Sequence, residues 1–312
     1  MAVIKPEGWL LETNENREAL RSPAGLMRAA EEGRTLEARA LVCDSSHNLI
    51  VDLECMKGII PREEGALGLD DGTTRDIAVI SRVNKAVCFK IVNMPHPPDG
   101  KMAVLSRRAA QEEAVRLYIS KLAPGDIIDA RVTHLEPFGC FVDIGRGIAS
   151  LIPIDLISVS RISHPHDRFR VGQNIRTIVK AIEGPSRICL THKELLGTWE
   201  ENASNFTPGE TVAGIVRSVE SYGVFVELSP NLAGLAEPRE GVFPGQHAGV
   251  FIKSLIPEKM KVKLIIVDAF DAEYKPEEPY YYVTENHIDH WVYSPPNCDK
   301  IISTSFSGDI QP

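Results

Sequence analysis

Between Gly33 and Leu264 the chain is written mostly in short apolar runs that alternate with polar residues and end at Gly or Pro. Leu36, Ala38, Ala40 and Val42 alternate with charged or polar partners, followed by Leu49-Ile50-Val51-Asp52-Leu53 and Gly58-Ile59-Ile60-Pro61. A period of two over such short runs predicts strands, and their spacing predicts a small all-β unit. Three helical stretches accompany these runs, one before them and two between them. Asn14 to Glu32 reads as helix, interrupted at Ser22-Pro23. Ser106 to Leu122 reads as a second helix, with Ser106 as its cap, Ala110, Ala114 and Leu117 on one face, and Pro124-Gly125 as its stop. Thr191-His192-Lys193-Glu194 has the form of a capping box, with a helix running toward Phe206 and stopping at Pro208-Gly209. The expected plan is therefore β-unit, helix, β-unit, helix, β-unit.

Two of the β-units repeat one another. Gly125 to Val142 ends in Phe138-Gly139-Cys140-Phe141-Val142-Asp143, and Gly209 to Val226 ends in Tyr222-Gly223-Val224-Phe225-Val226-Glu227. In each, the aromatic-Gly-x-Phe-Val-acid run starts 13 residues after a glycine. The match continues: Phe141 to Leu151 and Phe225 to Leu235 both span ten residues, Gly172-Gln173 corresponds to Gly245-Gln246, and Lys180 to Lys253. The closing runs are Arg187-Ile188-Cys189-Leu190 and Lys261-Val262-Lys263-Leu264. Five strand-like runs in roughly 70 residues match a five-stranded Greek-key barrel of the OB type. The first unit fits the frame more loosely, with His47 and Ile50 in place of the aromatic pair. The expected fold is mainly β: three tandem five-stranded OB-fold barrels joined by short helices, an N-terminal helical segment and a C-terminal β-hairpin-like tail. The expected boundaries are 1–32 for the helical segment, 33–105 for a degenerate barrel, 106–123 for a linker helix and 124–193 for the second barrel. A second linker helix over 194–207, the third barrel over 208–270 and a tail over 271–312 follow.

Strand alternation assigns faces. Cys140, Val142 and Ile144 share an inner face, which puts Phe141 outside with Asp143; Val224, Val226 and Leu228 likewise leave Phe225 outside with Glu227. A phenylalanine on a wet face needs a reason. Stacking on an unpaired base supplies one, worth about 1–3 kcal/mol per base; packing against a linker helix or a neighbouring barrel is the other reading. Gly139 and Gly223 are expected to permit a bulge that turns Phe138 and Tyr222 to the same surface.

Composition and charge refine this picture. Of 312 residues, 43% are hydrophobic and 25% charged, and no apolar run reaches the length of a membrane span. The first residues, Met1 to Glu7, lack the layout of a signal peptide. The six cysteines form no CxxC pair and read as buried free thiols of a reducing cytosol. The net charge is −9, but the acid is concentrated in residues 199–312, where 8 Lys+Arg face 17 Asp+Glu. Residues 124–198 hold 9 Lys+Arg against 8 Asp+Glu, with Arg161, Arg168, Arg170, Arg176, Lys180 and Arg187 as a weak basic patch. Such a balance suits single strands held partly by stacking rather than a salt-driven clamp on duplex. Lys180 and Arg187 read either as solvated strand-edge charge or as phosphate contacts. His164 and His166 are read as solvated loop residues or RNA contacts. His287, His290 and Cys298 supply only three candidate metal ligands and no second pair. The aromatics of Tyr280 to Val283 and Trp291 to Tyr293 look instead like a hairpin over the third barrel. No P-loop, HExxH, GxSxG or paired-carboxylate site appears, so no enzyme, cofactor or metal is expected.

The combination of G-x-x-x-x-A/G-x-V, F/Y-G-x-F-V-D/E, G-Q and R/K-I/V-x-L over roughly residues 33–268 resembles the S-one RNA-binding domain, the OB-fold module repeated in bacterial ribosomal protein S-one. The resemblance implies RNA-facing roles for the aromatic pairs Phe138 and Phe141, and Tyr222 and Phe225, and for the basic residues Arg187 and Lys261 that open the last strands. Lys180 and Lys253 join them as candidate RNA-binding residues. A histidine frequent in the family is replaced by Pro153 and Glu237. The implied function is non-enzymatic binding of single-stranded mRNA in translation, in the cytoplasm and on the small ribosomal subunit, whose proteins the first barrel would meet. No membrane or small-molecule substrate is implied. The alternative is a ribosome-independent RNA-processing or regulatory factor using the same surfaces.

Overall fold

The computed structural model describes residues 4–95, 102–184, 188–273 and 278–306. Among them are three closed barrels with one connectivity. The first is built from β1 (Leu36–Cys43), β2 (Leu49–Asp52), β3 (Lys57–Ile60), β4 (Ala86–Asn93) and β5 (Ala103–Ser106), in the order β1-β2-β3-β5-β4. The second repeats this with β6 (Ile127–Glu136), β7 (Gly139–Asp143), β8 (Ala149–Pro153), β9 (Asn174–Ile182) and β10 (Ile188–Thr191). The third uses β11 (Thr211–Glu220), β12 (Gly223–Ser229), β13 (Leu232–Ala236), β14 (His247–Ile256) and β15 (Lys261–Phe270). In each, the third and fifth strands run parallel, while pairs such as β1–β4, β9–β10 and β11–β14 are antiparallel. Among the described residues, closure leaves the three barrels without an unpaired sheet edge, and the inward rows fill each barrel.

The chain divides into two compact units, Met1–Leu122 with Asp143–Ala149, and Ala123–Val142 with Ser150–Pro312. In the first unit, helices α1 (Asn14–Leu20) and α2 (Pro23–Glu31) pack on the first barrel through Ala19, Leu20, Leu26 and Ala29. A short helix, α3 (Ile77–Ile80), contributes the buried Val79. Helix α4 (Arg107–Leu117) is capped as its sequence suggests, with the Ala109 amide donating to Ser106 Oγ at 2.8 Å. Val42 departs from the alternation: it is 53% exposed because the register shifts between Ala40 and Val42 and turns the strand outward.

The same unit hides a polar cluster. Arg107 donates through Nε and Nη2 to the two oxygens of Glu7, at 2.6 and 2.9 Å, with both side chains almost fully buried. Asp143 Oδ2 accepts the Glu7 amide at 2.7 Å, while its Oδ1 accepts the amides of Gly145 and Gly147. Glu37 Oε2 accepts three backbone amides, from Gly8, Leu10 and Leu11. Burial, with Glu7 nearby, pushes Glu37 and Asp143 up to about 7. Burial opposes the charge of Glu7 too, but Arg107 and Arg82 overcome it and hold that carboxyl below its usual range.

The second unit contains the third barrel and the second barrel apart from Asp143–Ala149. Its linker helix starts later than the sequence suggests. Thr191 Oγ1 donates to the Glu194 carboxylate rather than forming a capping box, and Lys193–Leu196 is a single 3-10 turn. The capping box lies at Thr198 and Glu201, heading α5 (Trp199–Ala203). Thr191 is wholly buried and holds Leu156 and Glu194, so it cannot act as a cap. Asn231, fully buried, accepts the Val159 amide and donates to the carbonyls of Lys193 and Gly197, which ties the third barrel to the chain of the second. The C-terminal segment is shared. β16 (His290–Val292) pairs with β17 (Ser303–Ser305), and Trp291 and Tyr293 enter the core of the third barrel. Tyr281 and Val283 pack instead with Ile127, Ile178 and Leu195 of the second, beside Phe306, so the expected hairpin covers the third barrel with only part of its aromatics.

Candidate nucleic-acid interface

On the second barrel the Phe138 and Phe141 rings meet edge to face, 5.9 Å apart at 90°. Phe138 is 56% exposed and Phe141 half-buried. The third barrel rebuilds the same pair: Tyr222 and Phe225 lie 6.1 Å apart at 88°, with Tyr222 65% exposed. Each pair stands beside a glycine that lets the neighbouring strand approach closely. A Cβ at Gly139 would stand 2.6 Å from the Ile152 carbonyl oxygen, and one at Gly223 would stand 2.6 Å from that of Ala236. The neighbouring strand therefore lies directly against the glycine, and on the third barrel β12 stays in register with β13 from Val224 to Glu227. The bulge sits on the partner strand, between Val216 and Ser218.

Cross-strand register extends the platform. Phe225 stands opposite Leu235, and Leu235 opposite Lys263, so one outward row runs from aromatic to aliphatic to ammonium. Lys261 and Lys263 are both exposed on β15. Lys263 is a residue that the repeat does not single out, although its alternation with Lys261 carries the signal. In the second barrel the row ends at Cys189, opposite Leu151. Arg187 lies outside the described residues. Lys180 and Lys253 are exposed and occupy one structural position, the extra residue where the register shifts between the fourth and fifth strands. His134, another residue that the motifs do not mark, stacks at 6.4 Å on Phe141 and holds Glu136 at 2.6 Å. It belongs to no element of the repeat, so nothing in the spacing points to it.

Two expectations fail on this surface. Asp143 and Glu227 do not mark the wet face: they are 3% and 5% exposed. Asp143 is covered by the Glu7 backbone, and Glu227 accepts from Arg168 at 2.5 Å and from Arg217 at 2.9 Å. The basic patch of the second barrel is largely consumed in the same way. Arg168 is buried against Glu227, Arg176 donates to the carbonyls of Val283 and Glu285, and Arg170 pairs with Glu278. Arg161 and Lys180 remain exposed.

The first barrel keeps the frame and changes its chemistry. His47 sits in a left-handed turn, φ 62°, with its ring 3.4 Å from Asp76. The outward row that carries Phe225, Leu235 and Lys263 in the third barrel here reads Ile50, Ile59 and Val104. Val92 occupies the register-shift position of Lys180 and Lys253, and is 62% exposed.

Residues 121–193 match the S1 RNA binding domain. This match falls on the second barrel, the one with the Phe138–Phe141 platform. The chain is also similar to the small ribosomal subunit protein bS1 of Staphylococcus aureus, 30% identical over 186 residues, which is 54% of this chain and 47% of that protein. The bS1 protein of Leuconostoc lactis is 28% identical over 251 residues, 75% of this chain and 56% of that protein. The likeness to the S-one family read from the sequence is thus found in its relatives, and the chain spans about half the length of those it matches. A multidomain protein with nucleic acid binding domains from Streptococcus pneumoniae aligns with 76% of the chain and 74% of its own, at 14% identity and a TM-score of 0.25.

Elsewhere the chemistry is quiet. All six cysteines are free; Cys88 and Cys140 are buried, and burial pushes Cys140 up to about 12. His287 holds Asp126 and Asp289 through its two ring nitrogens, and those hydrogen bonds raise its pKa. Among the described residues, no group of three or more His, Cys, Asp or Glu side chains is placed to hold a metal, and no helix is long and apolar enough to cross a membrane.

Proposed function

We propose that this protein binds single-stranded RNA without catalysing a reaction, and does so as an S1-like component of translation at the small ribosomal subunit. The observation that carries the reading is the repeated edge-to-face aromatic pair, open to solvent at matching positions of two barrels. Perpendicular rings offer separate faces to successive unstacked bases, and stacking tolerates any base sequence. Lys180, Lys253, Lys261 and Lys263 flank the platforms and supply phosphate contacts. The bS1 relatives support the ribosomal setting and, with it, a cytoplasmic location. The first barrel takes the protein-docking role: its outward row is aliphatic where the third barrel is aromatic and basic.

Two measurements test this. Fluorescence anisotropy should show tighter binding to an unstructured RNA strand than to the same sequence as a duplex; equal or absent binding refutes the RNA function. Gradient sedimentation should place the protein with small subunits, and Val92→Asp should release it while leaving strand affinity unchanged. Migration in light fractions, with strand binding intact, would favour the ribosome-independent factor.

A further inference from the structure

The second unit holds a cavity of about 400 Å³ where the loop after Pro165, strands β11 and β12, and residues 278–280 meet. That volume lies within the usual range of small-molecule sites. Its walls are mainly apolar, with Phe169, Leu228 and Pro230 among them. Charge is present but cancelled: Arg168 and Arg217 hold Glu227, and Arg217 also holds Asp167 at 3.3 Å. His192, in the wall, is neutral. Its Nδ1 donates to the Ile157 carbonyl, and burial lowers its pKa to about 4.

The cavity adjoins the platform of the third barrel. Phe225 and Glu227 are alternate residues of β12, so Glu227 in the cavity wall stands about 7 Å along the same strand face from the stacking ring. A strand stacked on Tyr222 and Phe225 therefore lies within about one extended nucleotide of the cavity wall. The arginines around the cavity are already paired with Asp167, Glu227 and Glu278, so they are not available to a phosphate. The mainly apolar surroundings instead suit a flat, uncharged group.

We infer that this cavity receives a single nucleobase, turned out of the strand bound on the Tyr222–Phe225 platform and held against the apolar walls and the exposed ring of Tyr280. The inference rests on the RNA-binding reading. It assigns to Leu228, Pro230 and Tyr280 contacts with one base, which the platform alone does not provide.

Ala213 gives the test a handle, because it is exposed at the end of β11 and lines the cavity. Ala213→Trp fills the cavity from its mouth, Ala213→Met fills part of it, and neither replaces a core residue. The full chain is mixed with an oligonucleotide of 4-thiouridine, irradiated, and its crosslinked peptides are identified by mass spectrometry, with strand affinity measured alongside. The expected result is two sets of crosslinks in the wild type, at Tyr222–Phe225 and at residues 167–169 or 278–280. The second set should fall at least tenfold in A213W and less in A213M, while the first persists. Strand binding without the second set, or a second set indifferent to A213W, overturns the pocket and leaves the platform reading intact. A wild type that binds no strand overturns both.

Discussion

Truncating the second barrel's aromatic pair, Phe138→Ala with Phe141→Ala, tests the stacking platform directly. Each ring that stacks on a base contributes about 1–3 kcal/mol. Phe138 is 56% exposed, so little of its surface leaves the fold when it is removed. The rings touch edge to face at 5.9 Å, an arrangement worth about 0.5–1.5 kcal/mol to stability. Phe138→Ala alone should weaken strand binding roughly 5- to 150-fold, the factor that corresponds to about 1–3 kcal/mol. The double variant should weaken it further, short of the sum if Tyr222 and Phe225 retain the strand. Binding is read by fluorescence anisotropy with an unstructured labelled RNA at fixed salt, because affinity depends steeply on ionic strength. Thermal melting reports the fold separately. If the double variant melts within a few degrees of the wild type and binds with unchanged affinity, the rings are not a base platform, and the argument from the exposed pairs fails for the third barrel as well.

Other perturbations bear on other parts of the molecule. Lys261→Ala with Lys263→Ala should lower both affinity and the dependence of log affinity on log salt, by about 0.7 in slope for each phosphate that is no longer neutralised; an unaltered slope removes these lysines from the interface. Asn231→Ala strips partners from the Val159 amide and the Lys193 and Gly197 carbonyls, and should destabilise the second unit by about 3 kcal/mol in denaturant titration. In the first unit, Glu37 is raised from 4.5 to about 7 by burial and by Glu7, so between those values its folded form holds a proton that the unfolded form has released. Its contribution is complete below pH 4.5 and lost as pH rises through about 7, up to about 3 kcal/mol. Glu37→Gln should flatten that part of the stability–pH curve; an identical curve in wild type and variant contradicts the assignment.

The repeat was enough to determine the two later barrels. A glycine, an aromatic-Gly-x-Phe-Val run and a closing strand recur at fixed spacing, and alternation placed Cys140, Val142, Val224 and Val226 inside, where they are buried. The aromatic pairs were legible for the same reason: a strand has a period of two, so a phenylalanine between inward valines has to face out. Which outward residues stay wet was decided only by tertiary contacts. Asp143 and Glu227 share the outer face of Phe141 and Phe225, yet the Glu7 segment buries one, and the Arg168 and Arg217 side chains bury the other. Glu7 lies 136 residues from Asp143, and Arg168 lies 59 from Glu227. No local pattern encodes such separations, because each partner is chosen by how the chain folds back rather than by its neighbours in sequence. The same holds for Arg168, Arg170 and Arg176, which read as a basic patch and are spent on Glu227, Glu278 and the carbonyls of Val283 and Glu285. Sequence set the barrels and the faces of their strands; packing decided which charges still meet solvent, and therefore which can meet a nucleic acid.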